Sequence, residues 1–139
     1  TGRFSELTPE RIEEEFVYGF EAAHIPGACF AGGEEFATFY SRIADAMVTL
    51  LKRNDWTTVL LVCHGGTNRA VLSWVTHGSP KGMASFEQDT GCLNVIDADV
   101  IDGEIIRRFV RAVNFTPYDP IKTGKYLTNM ELYRLGRSG

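Results

Sequence analysis

The chemistry of this chain is concentrated in Cys63-His64-Gly65-Gly66-Thr67-Asn68-Arg69. Glycines let a backbone come close to a bound group. The free N–H groups of a helix start, with the positive end of its dipole, suit an anion. His64 would then point into an anion pocket, where a protonated imidazole can donate to an oxygen of the bound group. Thr67 or Asn68 can cap the helix. A plain glycine turn, with a histidine that only bonds nearby backbone, satisfies the same residues.

Thr57–Cys63 leads into the motif as an unbroken aliphatic and β-branched run, with no face left for water. Such a run predicts a central strand of a parallel sheet, buried on both sides. Arg69–Val75 reads as helix, so the motif lies where a strand's C-terminal end meets a helix start, the ligand-binding position of open α/β sheets. Upstream, Thr8 caps a helix with Pro9 in its first turn, and Ile12, Phe16, Phe20 and Ala23 share one face. Pro26-Gly27 and Gly32-Gly33 punctuate a loop. A second helix runs from Glu34 to Lys52-Arg53-Asn54, with Phe36, Phe39, Tyr40, Ile43, Met47, Leu50 and Leu51 as its apolar stripe. Downstream, Cys92–Ala98 reads as a strand that turns at Asp102-Gly103 into Glu104–Asn114. The tail from about residue 115 carries Pro117, Pro120 and Gly124, and Tyr126, Leu127, Met130, Tyr133 and Leu135 can dock it as a short helix. This order predicts a layered α/β domain.

Length and composition bound the rest. The 139 residues suit one domain, and 44% apolar with 23% charged residues excludes disorder and collagen-like repeats. The net charge is −4, and the densest basic spacing, Arg107, Arg108 and Arg111, lies within an apolar segment. No nucleic-acid or anionic-membrane surface is expected. Val59–Cys63 is too short to span a bilayer, and no charged-then-apolar leader opens the chain. Three cysteines, Cys29, Cys63 and Cys92, do not make a disulfide scaffold, which predicts a reducing, cytoplasmic setting. The three histidines, with no Cys or carboxylate at ligand spacing, predict no metal site. Glu13-Glu14-Glu15 reads as a solvated helix face. Tyr18 and Phe30 could line a substrate pocket. The chain opens on Thr1 and runs straight into helix-like sequence, as a piece of something longer would.

Two phosphoryl-transfer chemistries fit the motif. Cys63-x-x-Gly66-x-x-Arg69 satisfies the pattern of a cysteine-dependent phosphatase loop, in which a thiolate attacks phosphorus and an arginine clasps two phosphate oxygens. Val62 stands where those loops carry a histidine, and Ala70 where they carry Ser or Thr. Cys63, closing an apolar strand, reads better as a small buried thiol.

The stretch from Val59 to Trp74 resembles the second histidine motif of the histidine phosphatase superfamily, also called phosphoglycerate-mutase-like. Gly2-Arg3-Phe4-Ser5-Glu6-Leu7-Thr8 is similar to the family's Gly-x-Trp-Glu-Gly-x-Thr segment, with Phe4 for Trp and Glu6-Leu7 in place of Gly. Gly32-Gly33-Glu34-Glu35, followed by Arg42, resembles its Gly-Glu-Ser helix opening, and Asn94 the asparagine often found on the next strand. The likeness runs from Gly2 to about Asn114. It implies a three-layer α/β/α sandwich with a mostly parallel central sheet, and phosphomonoester hydrolysis or mutase chemistry through a phosphohistidine, without a metal or other cofactor, on a small phosphorylated substrate. By resemblance His64 is the second histidine, donating to a phosphoryl oxygen, and Gly65 N–H adds a phosphate hydrogen bond. Arg69 occupies the family's helix arginine position, a structural role.

The departures are as informative. The family's nucleophile sits in an Arg-His-Gly tripeptide, which is absent from these residues. His24 and His77 lie in a loop and at a helix end, where neither can replace it. The family's acid glutamate lies just upstream of the segment matched by Gly2, and Glu6 and Glu10 read as exposed helix-start charges. Residues 1–139 therefore read as the C-terminal portion of a histidine phosphatase domain, inactive alone. A degenerate relative that keeps a phosphate pocket without turnover is the other reading. In either case a preceding segment, or a second copy in a homo-oligomer, is expected to cover strand 57–63.

Overall fold

The computed structural model describes residues 4–137, and side chains from 5 to 136. Helix α1 (Pro9–Tyr18) begins as its sequence dictates. Pro9 occupies the first turn, and the Thr8 hydroxyl accepts the Arg11 N–H at 3.4 Å. The apolar face read as one helix is divided: Phe16 is buried on α1, whereas Ala23 is buried in a separate 3-10 turn, Glu21–His24. The break follows Gly19, where a Cβ would lie 2.3 Å from the Glu15 carbonyl oxygen and 2.7 Å from the Phe30 ring. Only glycine admits that approach.

Helix α2 (Phe36–Leu51) buries Phe36, Tyr40 and Met47, positions that share one face at helical spacing. Helix α3 (Gly65–Thr76) is covered on several sides and forms the spine. Ala70 joins Ala23, Phe36 and Met83 in one cluster, while Trp74 and Val75 join Tyr40 and Met47 in a second; Ile43 touches both. A 3-10 turn over Pro80–Ser85 brings Met83 into the first cluster.

Strands β1 (Leu93–Ile101) and β2 (Glu104–Phe115) form an antiparallel hairpin. Asp102 and Gly103 both take left-handed φ, +51° and +77°, as a two-residue turn of primed type requires. One hairpin face, with Ile96, Ile105 and Val110, packs on the Trp74 cluster, and Arg108 lies 4.1 Å from the Trp74 ring centre. The other face pairs Arg107 with Asp99 and Arg111 with Asp97, each at 2.7 Å, and both arginines flank the Phe109 ring. Two of the three arginines in the densest basic spacing, Arg107 and Arg111, are thus neutralised across the ladder, while Arg108 lies against Trp74. Helix α4 (Asn129–Arg137) opens with a reciprocal cap: Thr128 N–H donates to the Glu131 carboxylate at 2.7 Å, and Glu131 N–H to the Thr128 hydroxyl at 3.2 Å. Tyr133 stacks on Phe16 at 5.6 Å and docks α4 on α1.

The class is mixed α/β, but the sheet differs from the parallel one expected. Among the described residues it has two strands, and both run in one antiparallel hairpin. Thr57–Cys63 is neither helix nor paired strand. Its side chains lie open: Leu60 is 78% and Val62 92% exposed, Val59 and Leu61 about half that. The physical reason is that a strand holds its shape through neighbours, and an apolar run of this kind needs one on each edge and cover on each face. The described residues supply neither. Cys63 is exposed with the rest of the run, against the expectation of a buried thiol. No helix among the described residues is long and apolar enough to cross a membrane.

Candidate functional site

His64 ends the exposed run and takes the cap position of α3, with extended backbone (ψ 156°). Its carbonyl accepts the Asn68 N–H at 3.0 Å, the first bond of the helix. Thr67 and Asn68, expected as caps, lie inside the first turn instead. The N–H groups of Gly65, Gly66 and Thr67 precede that first bond, and none donates to an acceptor among the described residues. The His64 ring is exposed and makes no capping bond. A histidine and a set of unsatisfied backbone donors therefore converge at one helix N-terminus, open to solvent. That arrangement can bind an anion through hydrogen bonds and dipole together.

Two residues support this turn from beneath. A Cβ on Gly65 would meet the Cβ of Gln88 at 3.6 Å, and one on Gly66 would meet the Phe20 ring at 3.8 Å. Gln88 is buried and held by a ring of amides. Its Nε2 donates to Asn94 Oδ1 at 3.1 Å, and Asn94 Nδ2 donates back to Gln88 Oε1 at 2.7 Å. Asn94 Oδ1 also accepts the Asn114 N–H at 2.9 Å, and Asn114 Oδ1 accepts the Asp89 N–H at 2.8 Å. The Asp89 carboxylate takes Lys122 and, at 3.4 Å, Lys125 from the loop before α4. Asn94 was singled out from sequence. Gln88, Asp89 and Asn114 were missed; the one available signal was a polar Gln-Asp pair just ahead of an apolar strand.

Arg69 is turned away from any ligand. Its Nη1 donates to the Met83 carbonyl at 3.1 Å, its Nη2 to the Glu87 carboxylate at 2.8 Å, and its guanidinium lies 4.8 Å from the Phe20 ring centre. Burial pushes its pKa down, and Glu87 opposes that shift. The structural role expected of Arg69 matches these contacts. A cysteine-loop mechanism needs this guanidinium on the phosphate, and here it is committed to the core.

The remaining candidates are dispersed. His24 Nδ1 lies 3.0 Å from the Glu21 carbonyl oxygen, and His77 Nδ1 lies 2.8 Å from the Thr76 hydroxyl. Glu10 is a helix-start acid: its own backbone N–H and the Thr8 hydroxyl hold its carboxyl below the usual range. Arg42 pairs with Glu34 at 2.7 Å within the opening of α2. Gly2 and Arg3 of the opening segment lie outside the described residues. Tyr18 is largely exposed and lines no described cleft, whereas Phe30 does line one. No group of three metal-ligand side chains comes together among the described residues.

The model of the histidine phosphatase superfamily (branch 1) matches residues 1–109. The chain belongs to that superfamily. No curated protein and no solved structure matches it. The match takes in α1, α2, the open run at 57–63, α3 and most of the hairpin, and leaves the loop and α4 outside.

Proposed function

We propose that this chain is the phosphate-binding part of a phosphohistidine enzyme, most simply a metal-independent phosphomonoester hydrolase of the cytoplasm. The observation that carries the reading is His64, solvent-open at the N-terminus of α3 within a chain of this superfamily. His64 donates to a phosphoryl oxygen, and Gly65 N–H donates to another. A histidine nucleophile from an Arg-His-Gly segment attacks phosphorus, and the bond to the leaving oxygen breaks as a carboxylic acid protonates it. Water then attacks the phosphohistidine and releases phosphate. Concentrated donors at the transferring group lower the barrier because its negative charge is spread over the equatorial oxygens.

The nucleophile-bearing segment, or a second copy of the chain, would pair with residues 57–63 and complete a three-layer sandwich with a mainly parallel sheet. The absence of Arg-His-Gly from the 139 residues favours one second reading, a phosphate-binding relative without turnover. Both are tested by reading the coding sequence upstream of Thr1 and assaying the protein it specifies on an aryl phosphate. An in-frame Arg-His-Gly after a short apolar run, with activity that survives EDTA, falls orders of magnitude on His64→Ala and barely changes on Cys63→Ser, supports hydrolysis. An inactive protein supports the binding relative, and an activity lost on Cys63→Ser overturns both.

A further inference from the structure

Residues 87–90, between the 3-10 turn and β1, are held from two sides. Toward α3, the buried Gln88 has its Cβ 3.6 Å from where a Cβ on Gly65 would stand. Beside it, Glu87 Oε2 accepts the Arg69 Nη2–H at 2.8 Å. Gly65 and Arg69 are four residues apart and share one face of α3. Glu87 and Gln88 therefore lie along that face at its first turn.

The other side is held by the chain beyond residue 115, which the superfamily match does not reach. Lys122 and Lys125 both pair with the Asp89 carboxylate, whose side chain is only 10% exposed. The Tyr118 hydroxyl donates to the Thr90 carbonyl at 2.7 Å, and the Asn129 N–H donates to the second Glu87 oxygen, Oε1, at 2.9 Å. Lys122 takes φ +55°, a left-handed backbone uncommon for lysine. Its ammonium on Asp89 and its N–H on Asp119 Oδ1, at 3.1 Å, fix it there. From Asp89 the bonds continue inward. Asn114 both accepts the Asp89 N–H and donates to its carboxylate, and Asn94 links Asn114 to the Gln88 amide. The loop before α4 thus reaches Gly65 through an unbroken series of hydrogen bonds and one packing contact.

Resting on the phosphate-site reading above, we propose that residues 116–129 form a strap that presets the phosphate donors at the start of α3, with Asp89 and Gln88 as positioning residues. Glycine loses more backbone freedom on ordering than any other residue, and Gly65 and Gly66 stand side by side. An anion that had to order them itself would bind more weakly by that entropy. A support fixed in advance removes the penalty.

The test is a titration of inorganic phosphate into the labelled 139-residue chain, read at the Gly65 and Gly66 amides by NMR, below the unfolding temperature of every variant and at a concentration where it is monomeric. By charge alone Asp89→Asn should tighten an anion, since it deletes an acid and releases two lysines. The strap predicts the opposite sign: phosphate binds roughly three- to tenfold more weakly. Gln88→Met, which keeps the volume but loses the amide bonds to Asn94, weakens it to a similar extent. Tyr118→Phe, an uncharged change at an exposed position that leaves folding intact, weakens it about twofold. Without ligand, the Gly65 and Gly66 amides become more mobile in Asp89→Asn while those of Val71–Val75 do not. Met47→Ala, in the cluster around Trp74, lowers Tm and leaves phosphate affinity unchanged. If the chain binds phosphate through His64 but Asp89→Asn and Gln88→Met bind it as well or better, the strap is wrong and the phosphate site stands. Equal weakening in Met47→Ala also overturns it, because the effect is then general stability. If no phosphate binds, or His64→Ala has no effect, the phosphate-site reading fails and this inference with it.

Discussion

Replacing Arg69 by methionine separates a core arginine from a phosphate clasp. The Arg69 side chain is 9% exposed and gives hydrogen bonds to the Met83 carbonyl and the Glu87 carboxylate. Methionine fills much of the same volume, so the cavity contribution is small. The Met83 carbonyl loses its charged donor, a cost of about 1–3 kcal/mol for a buried acceptor. Glu87 loses its cation. Removing one partner of a fully buried pair costs about 3–5 kcal/mol, but Glu87 is 31% exposed, so water replaces part of the interaction. The contact with the Phe20 ring adds about 1 kcal/mol. These contributions overlap, and a net loss of about 3 kcal/mol is expected, close to 10 °C in Tm for a chain of this size. Thermal unfolding of the chain and Arg69→Met, followed by far-UV circular dichroism, measures it. Glu87→Gln should cost less, because the amide oxygen still accepts the Asn129 N–H, which reaches Glu87 at 2.9 Å. The double variant should show clear non-additivity. An unchanged Tm in Arg69→Met, with phosphate affinity lost, would refute this reasoning and return Arg69 to the ligand.

The added methyl of Gly65→Ala meets nothing closer than 3.6 Å, so the variant should keep its Tm or gain up to about 1 kcal/mol from helix propensity, while phosphate titration shows weaker binding. Unchanged affinity would mean that no ligand approaches that backbone. The open apolar run should drive self-association, seen as concentration-dependent light scattering, and Leu60→Lys with Val62→Lys should give a monodisperse monomer; a wild-type chain that is monomeric throughout would contradict this. For Asp89, burial works to raise the carboxyl, but Lys122 and Lys125 outweigh it and hold the pKa below the ordinary Asp value. Its stabilisation is thus complete above about pH 5 and fades as the carboxylate protonates in the folded chain, below the ordinary value of about 3.9. The Tm gap between the chain and Asp89→Asn should be constant from pH 5 to 8 and close toward pH 2; a gap that persists undiminished at pH 2 would contradict the assignment.

Local signals were legible in the sequence because short-range chemistry decides them. Thr8-Pro9 opens α1, Asp102-Gly103 turns the hairpin, and the apolar stripe from Phe36 to Leu51 is α2. Of the tail's apolar residues, Met130, Tyr133 and Leu135 do fall in a short helix, α4, whereas Tyr126 and Leu127 precede it. His64 falls at the helix start where strand-like sequence gives way to glycines. Features that depend on distant partners were hidden. Glu87 lies 18 residues from Arg69, and Asn114 reaches Asp89 across 25; neither spacing leaves a local mark. The run at 57–63 is instructive in another way. Its composition states what a strand there requires, while pairing depends on what lies beside it. The described residues leave both edges open.

The central claim is that the start of α3 binds a phosphoryl group through His64 and the first glycine amides. It is tested most directly by titrating inorganic phosphate into the isotopically labelled chain, at a concentration where it is monomeric, and following the backbone amides and histidine rings by NMR. The account predicts saturable shifts centred on the Gly65 and Gly66 amides and the His64 ring, with His24 and His77 unmoved. In His64→Ala the glycine shifts should shrink sharply while the amides of Ala70–Val75 keep their positions. Shifts scattered over the surface, or glycine shifts that persist at full size without His64, would contradict it.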